Sequence, residues 1–326
     1  MIEPSTLPLM RERLVERRQQ LAAAAPASGA AAEMTRLLQE VDAALRRMDA
    51  GTFGLCETCR DPIEPDRLAA DPVTRFCLDH LTPPEQRALQ QDLDLAARIQ
   101  RELLPKADIR LDGWEVAYHY QPAGPVSGDY CDLIPGASGD TYFLVGDVAG
   151  KGVAAAMLMT HLSALLRTLI SLGLPLSELV ERASRVFCES TLPAHYATLV
   201  CGRASPSGEI EVCNAGHPPP LVIRDRAITS LDATGLPIGM FGKEQFSSRT
   251  ELLGSGDTLL LYTDGVIEAR SPVGDDYGVE RLCTLVAAAG RLRPPAMVDG
   301  LVRDLSTFSA AAGMADDVTV MALRRL

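Results

Sequence analysis

The chain has 326 residues, of which 47% are hydrophobic and 23% charged, a composition that can bury a sizeable core and excludes disorder or a fibrous repeat as the overall state. Thirty-one Lys and Arg against 43 Asp and Glu leave a net charge of −12, which excludes the broad basic footprint of a nucleic-acid binder, so no DNA partner is expected. The longest uncharged apolar run, Gly152 to Leu166, falls short of the roughly 18 to 20 residues of a membrane span, and no apolar segment follows a basic start in MIEPSTLPLMRERLVERRQQ; a cytoplasmic protein with no membrane partner is expected.

The first predicted element is a helix, because Leu7, Met10, Leu14 and Leu21 recur at helical spacing among Arg and Glu. A second helix carries Met34, Leu37, Leu38, Val41, Leu45 and Met48 on one side. Pro26 and Gly29 break the intervening AAAAPASGAAA, so the two helices are expected to fold back as an antiparallel hairpin that covers both stripes.

Next come Cys56-x2-Cys59, seventeen residues, and Cys77-x2-His80. Two chelating pairs separated by a loop enclose one tetrahedral zinc with three thiolates and an imidazole, and four protein ligands close the site, making it structural. Pro83-Pro84-Glu85 then opens a predicted linker helix over 83–105, with Leu89, Leu93, Ala96, Ile99 and Leu103 as an apolar seam. Such a seam calls for a covering surface, either the chain's own second domain or a second copy, so a homodimer through this coiled-coil-like helix or the hairpin is expected. The expected division is 1–82 for the hairpin and zinc finger, 83–105 for the linker and 106–326 for a second domain.

From Trp114 the pattern changes to short β-like runs bounded by Gly, Pro, Asp and Asn: WEVAYHY, TYFLVGDV, ATLVCGRA, EIEVCNAG, PLVIRD, DTLLLYTDG and DVTVMALRR. Helical stretches at Ala154–Leu172 and Ser177–Ser190 interrupt them. Most connections are too short for crossover helices, so an α+β fold of antiparallel sheets with helices grouped outside is expected. Four segments set an aspartate at the end of a β-like run: Asp129 in Ser-Gly-Asp-Tyr, Asp147 in Gly-Asp-Val, Asp264 in Thr-Asp-Gly, and Asp316 with Asp317 in Ala-Asp-Asp. Carboxylates converging on one pole repel and titrate upward unless cations hold them, and hard oxygen ligands suit Mg²⁺ or Mn²⁺.

Two family resemblances follow from these residues. The helical hairpin with DAGTFGLCETCRDPIEPDRLAADPVTRFCLDH, over roughly 5–82, resembles the DksA/TraR family of coiled-coil hairpins with a four-ligand zinc finger. His80 stands where many members have the fourth Cys, and the Ala, Ser, Pro and Gly tip lacks the acidic residues with which members act inside RNA polymerase. Over about 94–326, PAGPVSGDYCDL, VGDVAGKGVAAAMLM, ATLVCGRASPSGEIEVCNAGHPPPL, GLPIGM, LLLYTDGVIEAR and ADDVTVMAL resemble, in order, the motifs of the SpoIIE/RsbU branch of PPM-type serine/threonine phosphatases.

That second resemblance implies a four-layer α-β-β-α sandwich with a binuclear Mg²⁺ or Mn²⁺ site between the sheets. It implies that Asp147 bridges the metals, that the Val148 carbonyl adds an oxygen, and that Asp129, Asp264 and Asp316 complete the shell, with Asp317 the alternative last ligand. A histidine two residues after the bridging aspartate is the general acid of eukaryotic relatives, but that position is Ala149 here. For substrate contact, Lys151 stands near a helix start, Gly128 permits close backbone approach, and His217 either faces the substrate or shapes a turn. The implied substrate is a phosphoprotein, commonly a phosphorylated STAS-domain anti-sigma-factor antagonist, with the zinc-finger region as regulator. The alternative reading is a DksA/TraR-like RNA polymerase regulator with a degenerate phosphatase domain.

Overall fold

A computed structural model describes residues 6–23, 31–81, 83–106, 111–136, 139–191, 195–242, 244–309 and 316–326. Its contacts divide the chain into two units between Asp92 and Leu93, inside one helix.

In the first unit, α1 (Thr6–Ala23) and α2 (Ala31–Asp49) run antiparallel: Arg11 pairs with Asp49 and Arg18 with Asp42, so numbers rise along one helix as they fall along the other. Leu14, Val41 and Ala44 are fully buried between them, so the middle of the expected stripes is covered, while Leu7 stays exposed. The rim ion pairs are exposed and contribute at most about 1 kcal/mol each. The expected tip, with Pro26 and Gly29, lies outside the described residues. After α2 come the cysteine loop, the short α3 (Pro65–Ala70) and a single 3-10 turn at Leu78–His80. Met10, Ile63 and Leu68 bury beside Cys56 and Cys77, so α1 and the cysteine loop share one small core. The helix α4 (Pro83–Leu103) crosses the boundary between the units.

The second unit holds β1 (Trp114–Gln121), β2 (Asp129–Pro135), β3 (Thr141–Val148), β4 (Ala197–Ala204), β5 (Glu209–Ala215), β6 (Leu221–Arg224), β7 (Ala227–Ser230), β8 (Arg249–Leu252), β9 (Thr258–Tyr262) and β10 (Val318–Arg325). They form two antiparallel five-stranded sheets, ordered β1-β10-β9-β6-β7 and β2-β3-β4-β5-β8. Strand alternation sorts the side chains into layers. Cys131, Leu133, Phe143, Val145, Val200, Leu259, Leu261, Met321 and Leu323 point between the sheets. The opposite face of the β2-β3-β4 sheet buries Leu144, Leu199 and Cys201 under α5 (Gly152–Ile170) and α6 (Leu176–Ser190). The outer face of the other sheet buries Leu260, Tyr262, Val320 and Ala322 under α8 (Gly278–Ala288) and α9 (Pro294–Phe308). The result is the α-β-β-α sandwich, with the four-residue α7 (Asp264–Ile267) directly after β9.

The structure corrects three expectations. The carboxylates do not all end strands: Asp129 opens β2, because the neighbour of a strand's end in an antiparallel pair is the next strand's beginning. The residues of α4 most deeply covered are Ala97 and Gln100, and the seam supplies only Ala96 to the packing around Val126 and Ala156. Leu89 is 43% and Ile99 52% exposed, while Ala97 and Gln100 are buried, since only a small side chain lets the helix approach Val126 and Ala156. Finally, α5 is long and apolar enough by length and composition to cross a membrane, because it runs on past Arg167. Its apolar side, with Met159, Leu162 and Leu166, lies in the core against β2 and β3.

Candidate active site and metal centres

At one pole of the second unit the apolar filling between the sheets gives way to polar side chains on the same inward-facing positions. Asp129 and Asp147 stand opposite each other in the β2-β3 ladder. Thr198 follows on β4, opposite Asp147, and Thr263 and Thr319 follow Leu261 on β9 and precede Met321 on β10. Asp129 is 1% exposed and its Oδ2 accepts hydrogen bonds from Thr263 Oγ1 at 2.9 Å and Thr319 Oγ1 at 2.5 Å. The two threonines belong to the opposite sheet, so one buried carboxylate ties both sheets together.

Burial, and secondarily the charge of Asp147, pushes the Asp129 carboxyl well above the usual carboxylate range despite these two donors. Asp147 is pushed up to about 7, first by burial and then by Asp264, Asp316 and Asp317. Burial, then Glu268 and Asp316, also raises Asp264, the first residue of α7. These carboxylates therefore share one field although they come from segments far apart in sequence. A set of mutually repelling carboxylates, one buried and the others half-buried, is a donor set for hard divalent cations, and it fits the Mg²⁺ or Mn²⁺ that the sequence implied.

Adjacent groups separate Asp316 from Asp317. The Asp317 carboxylate accepts the N–H groups of Ala123 at 2.7 Å and Gly128 at 2.9 Å, and so braces the loop that leads into Asp129. Asp316 Oδ2 instead pairs with Lys151 Nζ at 2.7 Å; the lysine stands at the N-cap of α5 and is largely exposed. Gly128 sits where a Cβ would come within 3.0 Å of the Val148 carbonyl and 3.3 Å of Asp147 Oδ1, so a side chain would crowd the carbonyl and carboxylate that face the site.

His217 does not line the cleft. It is 3% exposed, with Nδ1 2.8 Å from Thr198 Oγ1 and Nε2 buried without a hydrogen-bond partner among the described residues. Burial lowers its pKa to about 3, so the ring is neutral. Asn214 holds the turn by accepting the His217 N–H at 2.8 Å and donating to its carbonyl at 3.1 Å. His217 is thus a positioning residue between the sheets.

Sequence reasoning missed Gln100. Its side chain on α4, 5% exposed, accepts from the Ser127 N–H at 3.0 Å and donates to the Ser127 carbonyl at 2.8 Å, while Ser127 Oγ accepts the Asp129 N–H at 3.0 Å. Thr263 and Thr319 were missed too, although each lies within three residues of a flagged aspartate.

In the first unit, Cys56, Cys59, Cys77 and His80 bring four ligand atoms within 4.8 Å of one another, the one set of His, Cys, Asp or Glu that converges so closely among the described residues. Two tight turns produce it: Arg60 N–H bonds to the Cys56 carbonyl with Arg60 at φ 67°, and His80 N–H bonds to the Cys77 carbonyl. Cys59 and Cys77 sulfurs are 3.8 Å apart, which matches the edge of about 3.8 Å expected for a tetrahedron with Zn–S bonds of about 2.3 Å. Burial opposes ionisation of Cys56, but the N–H groups of Cys59, Cys77 and Thr58 outweigh it and draw the thiol down to about 6. The donor set and spacing fit zinc.

Comparison with known proteins gives two family matches. Residues 137–326 match the family described as Stage II sporulation protein E (SpoIIE), and residues 51–79 match the prokaryotic dksA/traR C4-type zinc finger. Protein IcfG of Synechocystis sp. is 28% identical over 265 residues, 72% of this chain and 41% of that protein. Phosphoserine phosphatase RsbU of Bacillus subtilis is 24% identical over 192 residues, 58% of this chain and 57% of that protein. The chain thus spans about half the length of these curated relatives. The SiaA-PP2C domain of Pseudomonas aeruginosa superposes with a TM-score of 0.67 at 19% identity, covering 74% of this chain and 99% of that domain, a likeness of fold.

Proposed function

The chain belongs to the SpoIIE family, and from that membership we propose that it is a metal-dependent phosphatase acting on phosphoserine or phosphothreonine of a protein. The observation that carries this reading is that Asp129 and Asp147 face each other in the β2-β3 ladder and that the charges of Asp264 and Asp316 act on Asp147. Asp147 as bridge, with Asp129, Asp264, Asp316 and the Val148 carbonyl, would hold two Mn²⁺ or Mg²⁺ ions. Bound there, the cations supply an acidified water and neutralise the phosphoryl oxygens.

The chain's own residues do the positioning. Thr263 and Thr319 both donate to one oxygen of Asp129, Oδ2, and leave the other outside these bonds. Asp317 holds the Gly128 N–H, keeping the backbone close to Val148. Lys151, beside Asp316, carries a positive charge that can meet a phosphoryl oxygen. Ala149 offers no proton, so the leaving serine oxygen takes one from water or another group.

The printed name of RsbU supports phosphoserine as the substrate group, and we extend the reading to a phosphorylated STAS-domain anti-sigma-factor antagonist in the cytoplasm. Residues 1–82 would carry one structural zinc and regulate the phosphatase domain of 106–326 through the linker of 83–105, whose exposed Leu89, Leu95 and Ile99 would meet a second copy. Packing of Ala97 near Ala156 of α5, and the grip of Gln100 on Ser127, support transmission from this helix to the ligands. Phosphate release from a phosphoserine STAS-domain protein, measured with and without Mn²⁺, tests the reading. Mn²⁺-dependent release is expected. No release, together with binding to RNA polymerase, would favour the regulator reading instead.

A further inference from the structure

A shallow, half-open cleft with a cavity volume of about 40 Å³ lies beside Asp316, and none of the chemistry above uses it. Its floor and one wall are apolar: Val302 and Leu305 come from α9 and Val318 from the first position of β10. Its rim is polar, with Glu268 after α7, Ser306 on α9, and His119 on β1 held to Gln121 at 3.1 Å. Gly265 also lines the cleft; a Cβ there would run into the Asp317 carbonyl, so α7 can approach the Asp316-Asp317 backbone only without a side chain. Asp316 therefore has Lys151 of α5 at its carboxylate and this cleft along its wall.

Resting on the phosphatase reading, we propose that the cleft is a specificity subsite receiving the apolar side chain of a residue that flanks the phosphoserine of the substrate protein. The argument for that occupant is continuity. A phosphoryl group held at the carboxylates puts the next one or two residues of an extended chain about 3.5 to 7 Å further on, and the cleft begins at one of those carboxylates. Its apolar lining gains from excluding water when a side chain covers it. The charge of Glu268 at the rim disfavours an acidic neighbour in the same place.

The test uses the full chain with Mn²⁺ and matched phosphoserine peptides carrying Leu, Gly or Asp at the flanking positions, with p-nitrophenyl phosphate as a substrate too small to reach the cleft. The Leu peptide is expected to exceed the Gly and Asp peptides by about 10-fold or more in kcat/KM. Ser306→Trp, an exposed helix position, fills the cleft and is expected to abolish that preference while p-nitrophenyl phosphate turnover stays within about 2-fold; Ser306→Ala keeps the preference. Equal use of the three peptides by the natural chain overturns the subsite, as does an equal fall in all substrates with Ser306→Trp. Failure of the natural chain on every substrate overturns the phosphatase reading itself, and the subsite with it.

Discussion

Asp129, the first residue of β2, and Asp147, the last but one of β3, face each other directly across the ladder on the inward side of the sheet. Two carboxylates so placed resist ionising together, and burial adds to that resistance. Asp147 ionises near 7 in the fold against an ordinary 3.8. Between those values the folded chain keeps a proton that the unfolded chain has released, so stability falls as pH rises through the window. In EDTA, the thermal midpoint is expected to be lower at about pH 8 than at about pH 5, with a smaller difference in Asp147→Asn, and Mn²⁺ is expected to raise it most at the higher pH. Equal slopes in the natural chain and the variant would count against the paired carboxylates.

Thr263 and Thr319 orient Asp129 from the opposite sheet. Removing either hydroxyl leaves the packing volume nearly intact but frees the carboxylate. Thr263→Val and Thr319→Val are each expected to weaken Mn²⁺ binding about 10-fold, read by calorimetric titration. Unchanged binding in both would mean that Asp129 is not a ligand.

His217 is buried and neutral, with a pKa near 3. It therefore contributes no limb to a pH–rate profile in the neutral range. His217→Gln is expected to lower kcat without moving the profile, and His217→Ala to lower thermal stability as well, by about 1–3 kcal/mol, because the Thr198 hydroxyl loses its partner. A limb near neutrality that disappears in His217→Gln would identify a general acid instead.

Gln100 gives the linker helix a direct hold on the backbone two residues before Asp129. Gln100→Leu strands both the N–H and the carbonyl of Ser127 in a buried place. A fall of about 10-fold or more in kcat is expected with zinc content unchanged, measured by turnover and metal analysis on the same preparation. Full turnover in this variant would remove the proposed route from α4 to the site.

Much of this site was legible in the sequence because its parts sit in short blocks with distinctive neighbours: Gly-Asp-Val, Thr-Asp-Gly and Asp-Asp each mark a carboxylate. The cysteine spacing likewise pointed to the four atoms that converge. What stayed hidden depends on contacts rather than on spacing. Gln100 reads as one more polar residue on an amphipathic helix until Ser127 is seen beneath it. His217 reads equally as ligand, acid or turn until its burial is known. In α4, periodicity identifies an apolar side but not whether large or small residues make the close contact. Helix α9 was overlooked although Pro294 and Pro295 open it and Met297, Leu301 and Leu305 form its buried stripe; Gly300 in its middle weakens the helical signal. The short β7 and β8 edge strands carry few buried residues and so leave little pattern to detect.

The proposed role of Asp147 is to couple two bound cations to phosphate ester cleavage. The most direct measurement is phosphate release from a phosphoserine protein with Mn²⁺, comparing the natural chain with Asp147→Asn. The expected result is a fall of at least about 10²-fold in rate with the fold intact; equal turnover by the two proteins would contradict it.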